Sequence, residues 1–212
     1  RLGDCKGNSG ITFPAGTTKY WNLAAGGNWS AVGWATTGGG TPAVNNFPLA
    51  QDTAVFQSTG LNSGSTVTVN AAYNIGTIDM SARTSNTMTL ATGSTTPAIY
   101  GNWINGTGTT LSGTGALTFA GRGSQTITSA GKTWTQAFTI NSPSGSVTLQ
   151  DAFSSNFNSA SPGAITLSGG TFNANNYNVT LSGSLGNISL SNAATRTTVS
   201  YTHLRAHETR ED

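Results

Sequence analysis

One short pattern recurs along most of this chain: an apolar residue, then Thr or Ser, then another apolar residue. Thr66-Val-Thr-Val69, Thr87-Met-Thr-Leu90, Ala116-Leu-Thr-Phe119, Ser146-Val-Thr-Leu149, Ala164-Ile-Thr-Leu167 and Asn178-Val-Thr-Leu181 are its clearest copies. Ile75-Gly-Thr-Ile78, Gln125-Thr-Ile-Thr128, Phe138-Thr-Ile140 and Asn187-Ile-Ser-Leu190 are looser ones. Successive side chains of an extended strand point to opposite faces, so a period of two with Thr or Ser outward predicts strands with one buried face. Between them stand Asn105-Gly106, Ser112-Gly113, Pro143-Ser-Gly145 and Ser168-Gly-Gly170, residues that favour turns. Strand starts fall about every ten residues. No stretch keeps a helical period over three turns, so no helix of any length is expected.

Composition narrows the classes further. Gly, Ser, Thr and Asn supply about half of the 212 residues, and only 8% are charged. A helical bundle draws heavily on Glu and Lys, of which there are only two and three here. Disordered chains combine high net charge with few aromatics; this one carries +2 and has 5 Trp, 5 Tyr and 8 Phe. Nine basic residues against seven acidic make no basic patch, so nucleic acid is not an expected partner. No apolar run is long enough for membrane insertion as a helix. Cys5, the single cysteine, has no internal partner.

Two all-β architectures fit the spacing. A β-sandwich shows turns every ~8–12 residues. A parallel β-solenoid, or β-helix, places two or three such strands in each coil and repeats every ~20–30 residues. The recurring Thr110-Leu-Ser-Gly113, Thr166-Leu-Ser-Gly169 and Thr180-Leu-Ser-Gly183, with the Asn-rich corner Asn173 to Asn178, favour the solenoid. Small polar residues stacked at corners repeat one rung's hydrogen bonds on the next. The sandwich remains the alternative. The expected organisation is a β unit ending over 1–16 (with Ile11-Thr-Phe13 as its last strand), an aromatic-rich cap over 17–60, a solenoid body over 61–198, and a separate tail over 199–212.

Chemistry-bearing residues are sparse. Before residue 199 there is no His and no Glu, and the carboxylates are Asp4, Asp52, Asp79 and Asp151, far apart in sequence. General acid–base work needs His or a close carboxylate pair. Arg83, Arg122 and Lys132 have no acid cluster beside them, and no calcium-roll, zinc or phosphate-loop motif occurs. No catalytic residue, cofactor or metal ligand is assigned, and the expectation is a non-enzyme. Asp52 and Asp151 are expected to accept backbone N–H bonds at turns. Trp21, Trp29 and Trp34 are the candidate glycan contacts, because an indole face matches the apolar face of a sugar. The competing reading is that they fill a cap.

Tyr20-Trp21, Gly27-Asn-Trp-Ser30, Trp34 and Pro48-Leu-Ala-Gln-Asp52-Thr-Ala-Val-Phe56 resemble the opening segment that precedes β-solenoids in tailed-phage virion proteins, of tail-fibre type, and in some bacterial surface adhesins. Leu117-Thr-Phe-Ala-Gly-Arg-Gly-Ser-Gln-Thr126 and Val147-Thr-Leu-Gln-Asp151 resemble the solenoid body of the phage set. The likeness spans roughly residues 5–190; it departs at Gln57, where an acidic residue is expected. It implies a structural or adhesive fibre segment on a virion or cell surface. Its implied partners are surface glycans and neighbouring segments of the same fibre, in a homotrimer. A carbohydrate-binding module using the Trp cluster and a tailspike-like glycan-degrading enzyme are the alternatives.

His203, His207, Glu208 and Glu211 all lie in the last stretch. Val199-Ser-Tyr-Thr-His-Leu-Arg-Ala-His-Glu-Thr209 resembles the translated read-through of a transposon-type sequencing-library adapter. The tail is therefore expected to pack on nothing, and its His and Glu receive no functional weight. An adapter at this point, together with Arg1 in place of an initiator Met, implies a piece of a longer protein.

Overall fold

The structure, a computed structural model, describes residues 3–158, 163–184, 186–190, 196–199 and 204–205. In chain order the first strands are β1 (Thr18–Trp21), β2 (Gly27–Asn28), β3 (Trp34–Ala35), β4 (Thr53–Val55), β5 (Ser65–Thr68), β6 (Asn74–Ile75) and β7 (Thr77–Asp79). There follow β8 (Met88–Ala91), β9 (Ala98–Ile99), β10 (Trp103–Ile104), β11 (Thr109–Ser112), β12 (Leu117–Phe119), β13 (Ser124–Thr128) and β14 (Thr133–Trp134). The last are β15 (Phe138–Leu149), β16 (Phe153–Ser155), β17 (Ile165–Asn173), β18 (Val179–Leu181), β19 (Ile188–Leu190), β20 (Arg196–Val199) and β21 (Leu204–Arg205). The only described helix is a single 3-10 turn, Val44–Asn46.

These strands do not pair with their sequence neighbours as hairpins. They pair in parallel with the equivalent strand of the next coil, giving a β-solenoid of about six turns. The column Ala54, Ile78, Trp103, Ile127 and Leu149 runs in register through β4, β7, β10, β13 and β15. Successive members are about 22–25 residues apart, inside the range expected of a solenoid. A second column is Val67, Leu90 and Leu111, and a third joins Ile99 to Phe119, Ile140 and Leu167. Apart from Leu111, these column residues are buried. The sandwich alternative fails because its antiparallel hairpins are absent among the described strands; the one antiparallel pair is β1 with β3.

The alternation assigned from sequence holds in the body, with specific exceptions. Leu117, Ile127, Ile140, Leu149 and Leu167 are inside, whereas Leu181 is only half-buried. Thr166, expected outward, is buried. Gln125 also points inward, satisfied by donating to the Ile99 and Gly101 carbonyls and accepting from the Gly121 N–H.

Two boundaries differ from expectation. Residues 11–13 form no strand. The segment from Gly3 to Gly16 lies along the side of the coils, with the Asp4 N–H on Gln51 Oε1 (2.8 Å) and the Cys5 sulfur accepting from Asn74 Nδ2 (3.3 Å). Pro14 lacks a ladder N–H, which works against a strand there. Coil stacking also begins before residue 61, since β1 and β4 pair in parallel with each other and β4 pairs with β7. Most of 199–212 lies outside the described residues. Its Leu204–Arg205 pairs with β18, so these two residues do not conform to a tail that packs on nothing.

Candidate functional site

The tryptophans proposed as glycan contacts sit inside the first coil. Trp21, Trp29 and Trp34 are 1%, 0% and 1% exposed. The β1–β3 pairing sets Trp21 opposite Trp34, and their rings meet edge to face with centroids 5.0 Å apart. Trp29 lies 4.8 Å from Trp34, and Phe56 closes the group. The Trp21 indole N–H donates to the Leu23 carbonyl and that of Trp34 to the Trp29 carbonyl, both at 2.9 Å. No indole face of the three is open to solvent: the rings fill the first coil, in keeping with the cap-filling reading, and the candidate stacking platform is not formed. Burial dominates because each ring gains more from leaving water than from lying half-exposed on a small sheet end. Trp103 and Trp134 head a second buried group with Phe138 and Phe153.

The carboxylates hold turns. Asp52 Oδ1 accepts the Thr17 N–H and hydroxyl, and Oδ2 accepts the Leu49 N–H at 2.8 Å. Asp151 accepts the N–H groups of Ser129 and Ala130. Asp79 takes the Ser81 N–H and hydroxyl, and Asp4 the Lys6 N–H. Each is committed to backbone it shapes, as the sequence suggested for Asp52 and Asp151. Among the described residues, no three His, Cys, Asp or Glu side chains gather where they could hold a metal ion.

No family model matches the chain, no curated protein matches it, and no solved structure matches it. The site must therefore be read from the molecule itself.

The least expected residue is Arg83. The stretch Ser81-Ala-Arg-Thr84 reads as a polar turn, yet the Arg83 side chain is 0% exposed. Its Nη1 donates to the carbonyls of Gln57 (2.8 Å) and Leu61 (3.1 Å), and Nη2 to that of Thr87 (2.9 Å). Gln57, where the resemblance calls for an acid, thus meets a cation through its backbone oxygen. Burial pulls the guanidinium below its ordinary value, because carbonyl dipoles only partly replace water around the charge. Outside this loop a cleft of about 340 Å³ is lined by Asn22, Ser58, Thr59, Asn62, Ser63 and Asn86, all neutral and polar, with three small or apolar neighbours.

A second cluster joins the N-terminal segment to the coils. Burial, then the hydrogen bond and charge of Cys5, raise the Tyr100 hydroxyl above the ordinary tyrosine value, opposed by Arg122. Arg122 also packs on Gly7, where an added Cβ would meet its Nε at 2.5 Å. Sequence reading gave no signal for this grouping, since Cys5, Tyr100 and Arg122 meet only through the stacking of distant coils.

Proposed function

We propose that this chain is a non-catalytic structural segment of a larger fibre, exposed on a virion or cell surface, where it spaces or displays a binding region. The observation that carries the reading is the parallel, in-register stacking of coil on coil around one continuous apolar core. Stacked coils make a rod whose backbone hydrogen bonds run along its axis, and such a rod has few points at which to bend. The commitment of Asp4, Asp52, Asp79 and Asp151 to turns leaves none of them free as an acid–base pair, which supports a role without turnover. The burial of Trp21, Trp29 and Trp34 removes the feature on which the carbohydrate-module reading rested.

Immunogold labelling of intact particles or cells of the source, with antibody to residues 17–158, tests the location. Surface-aligned label is expected, and label confined to the interior would overturn it. Incubation of the purified chain with a panel of capsular and cell-wall polysaccharides tests the absence of turnover. Release of reducing ends that disappears in D52N or D151N would replace the structural reading with an enzymatic one.

A further inference from the structure

We propose that the cleft outside the Ser58–Leu61 loop binds an oxyanion: a carboxylate, sulfate or phosphate group. This goes beyond the fibre reading and does not depend on it. The argument starts from the buried cation. All the described hydrogen bonds of the Arg83 side chain go to carbonyls, two of them at the ends of this loop, so the guanidinium lies directly behind the cleft wall. Its Nε–H is buried without a partner. A buried charge that is not paired is costly, and an anion held just outside the wall supplies the missing counter-charge.

The wall is built to present donors. A peptide unit is planar, with its oxygen and its N–H on opposite edges. The Gln57 oxygen faces Arg83, so the N–H of Ser58 faces away from it. The backbone N–H groups of Ser58, Thr59, Gly60 and Leu61 find no acceptor among the described residues. Gly60, at φ +79°, is the left-handed residue that curls the run. Successive free N–H groups bent in this way form an anion-binding concavity. The hydroxyls of Ser58 and Thr59 and the Asn62 amide flank it, the Asn86 amide braces the loop by donating to the Ser58 carbonyl (2.7 Å), and no carboxylate lines the cleft to repel an anion.

The test is a titration of the full chain with sodium sulfate, sodium phosphate and sodium glucuronate, sodium chloride holding ionic strength constant. The amide shifts of residues 58–61 and the Asn86 side chain are followed by NMR. Saturable shifts confined to these groups are expected. T59E places a carboxylate among the donors at an exposed position and is expected to weaken binding about tenfold or more, while T59Q stays within about threefold of the parent. Tighter binding of glucuronate than of the inorganic ions would identify an acidic sugar as the source of the anion, and the reverse order a free inorganic ion. Shifts that fail to saturate or that chloride reproduces, unchanged affinity in T59E, or equal losses in T59E and T59Q would each overturn the proposal.

Discussion

Single residues in this fold succeed or fail by the side of the strand on which they fall. Leu149 is fully buried between Ile127 and the next coil, whereas Thr148 lies half-exposed between Thr126 and Asn173. An unpaired carboxylate in the first position costs several kcal/mol, about as much as a domain of this kind has to spare. L149D is expected to abolish the cooperative unfolding transition in circular dichroism, and T148D to shift its midpoint by no more than a few degrees. Equal tolerance of the two would refute the assigned faces. Tyr100 gives a pH-dependent counterpart. Its hydroxyl is held above the ordinary tyrosine value, so the unfolded chain releases that proton first as pH rises. The contribution is complete below about pH 10 and is lost as pH climbs from there through the folded value. The urea midpoint of Y100F should therefore fall less steeply than that of the parent above about pH 10. Parallel curves would show that the hydroxyl carries no such linkage.

Corners decide the fit between elements. In β15 and β17 the chain runs from one face into the next without leaving the ladder, although register shifts at Asn141 to Ser146. Gly145 makes that passage possible: a Cβ there would lie 2.6 Å from the Gly121 oxygen and 2.7 Å from that of Gly123. G145V is expected to lower the melting temperature by ten degrees or more, roughly 2.5–5 kcal/mol in a domain of this size, because two backbone oxygens, and not only the Ser142 hydroxyl, would have to yield. A melting temperature within two or three degrees of the parent would mean that the corner can open. This element also shows where sequence reading stops. Phe138-Thr-Ile140 and Ser146-Val-Thr-Leu149 were legible as strands from their alternation, but Pro143-Ser-Gly145 reads locally as a break between them. Partner strands on the adjacent coils override that local preference. Arg83 was illegible for a related reason: a charged residue among Ser, Ala and Thr looks solvated until three distant carbonyls are found around it. The Trp cluster was half legible. Its residues stood out, but only the β1–β3 pairing settles that they face one another and not a ligand.

At the scale of the whole molecule, each coil touches chiefly the coils above and below it, so stability is a sum of local and nearest-neighbour parts. Damage at one end should stay near that end. W34A removes a fully buried indole from the first coil, a loss of about 3–5 kcal/mol where it acts. Hydrogen exchange is expected to accelerate over residues 18–79 and to remain unchanged over 138–149. Uniform acceleration along the chain would show that the coils unfold as one unit.

The antiparallel pair at the start of the stack has a further meaning. Every other ladder offers the same grain to whatever comes next, but β3 runs against it, and the Trp34 carbonyl is already taken by the Ala43 N–H. A strand arriving there in the direction of the coils would have to pair with β3 in antiparallel fashion, as β1 does, and would find one carbonyl of that two-residue strand already taken. This ladder therefore changes from parallel to antiparallel pairing at its β3 edge, while β2 and β6 end their own ladders with the parallel grain of the coils. Each coil added to a stack of this kind lengthens it by one rung of about 4.8 Å. Duplicating an internal rung would lengthen the stack without disturbing the β1–β3 pair.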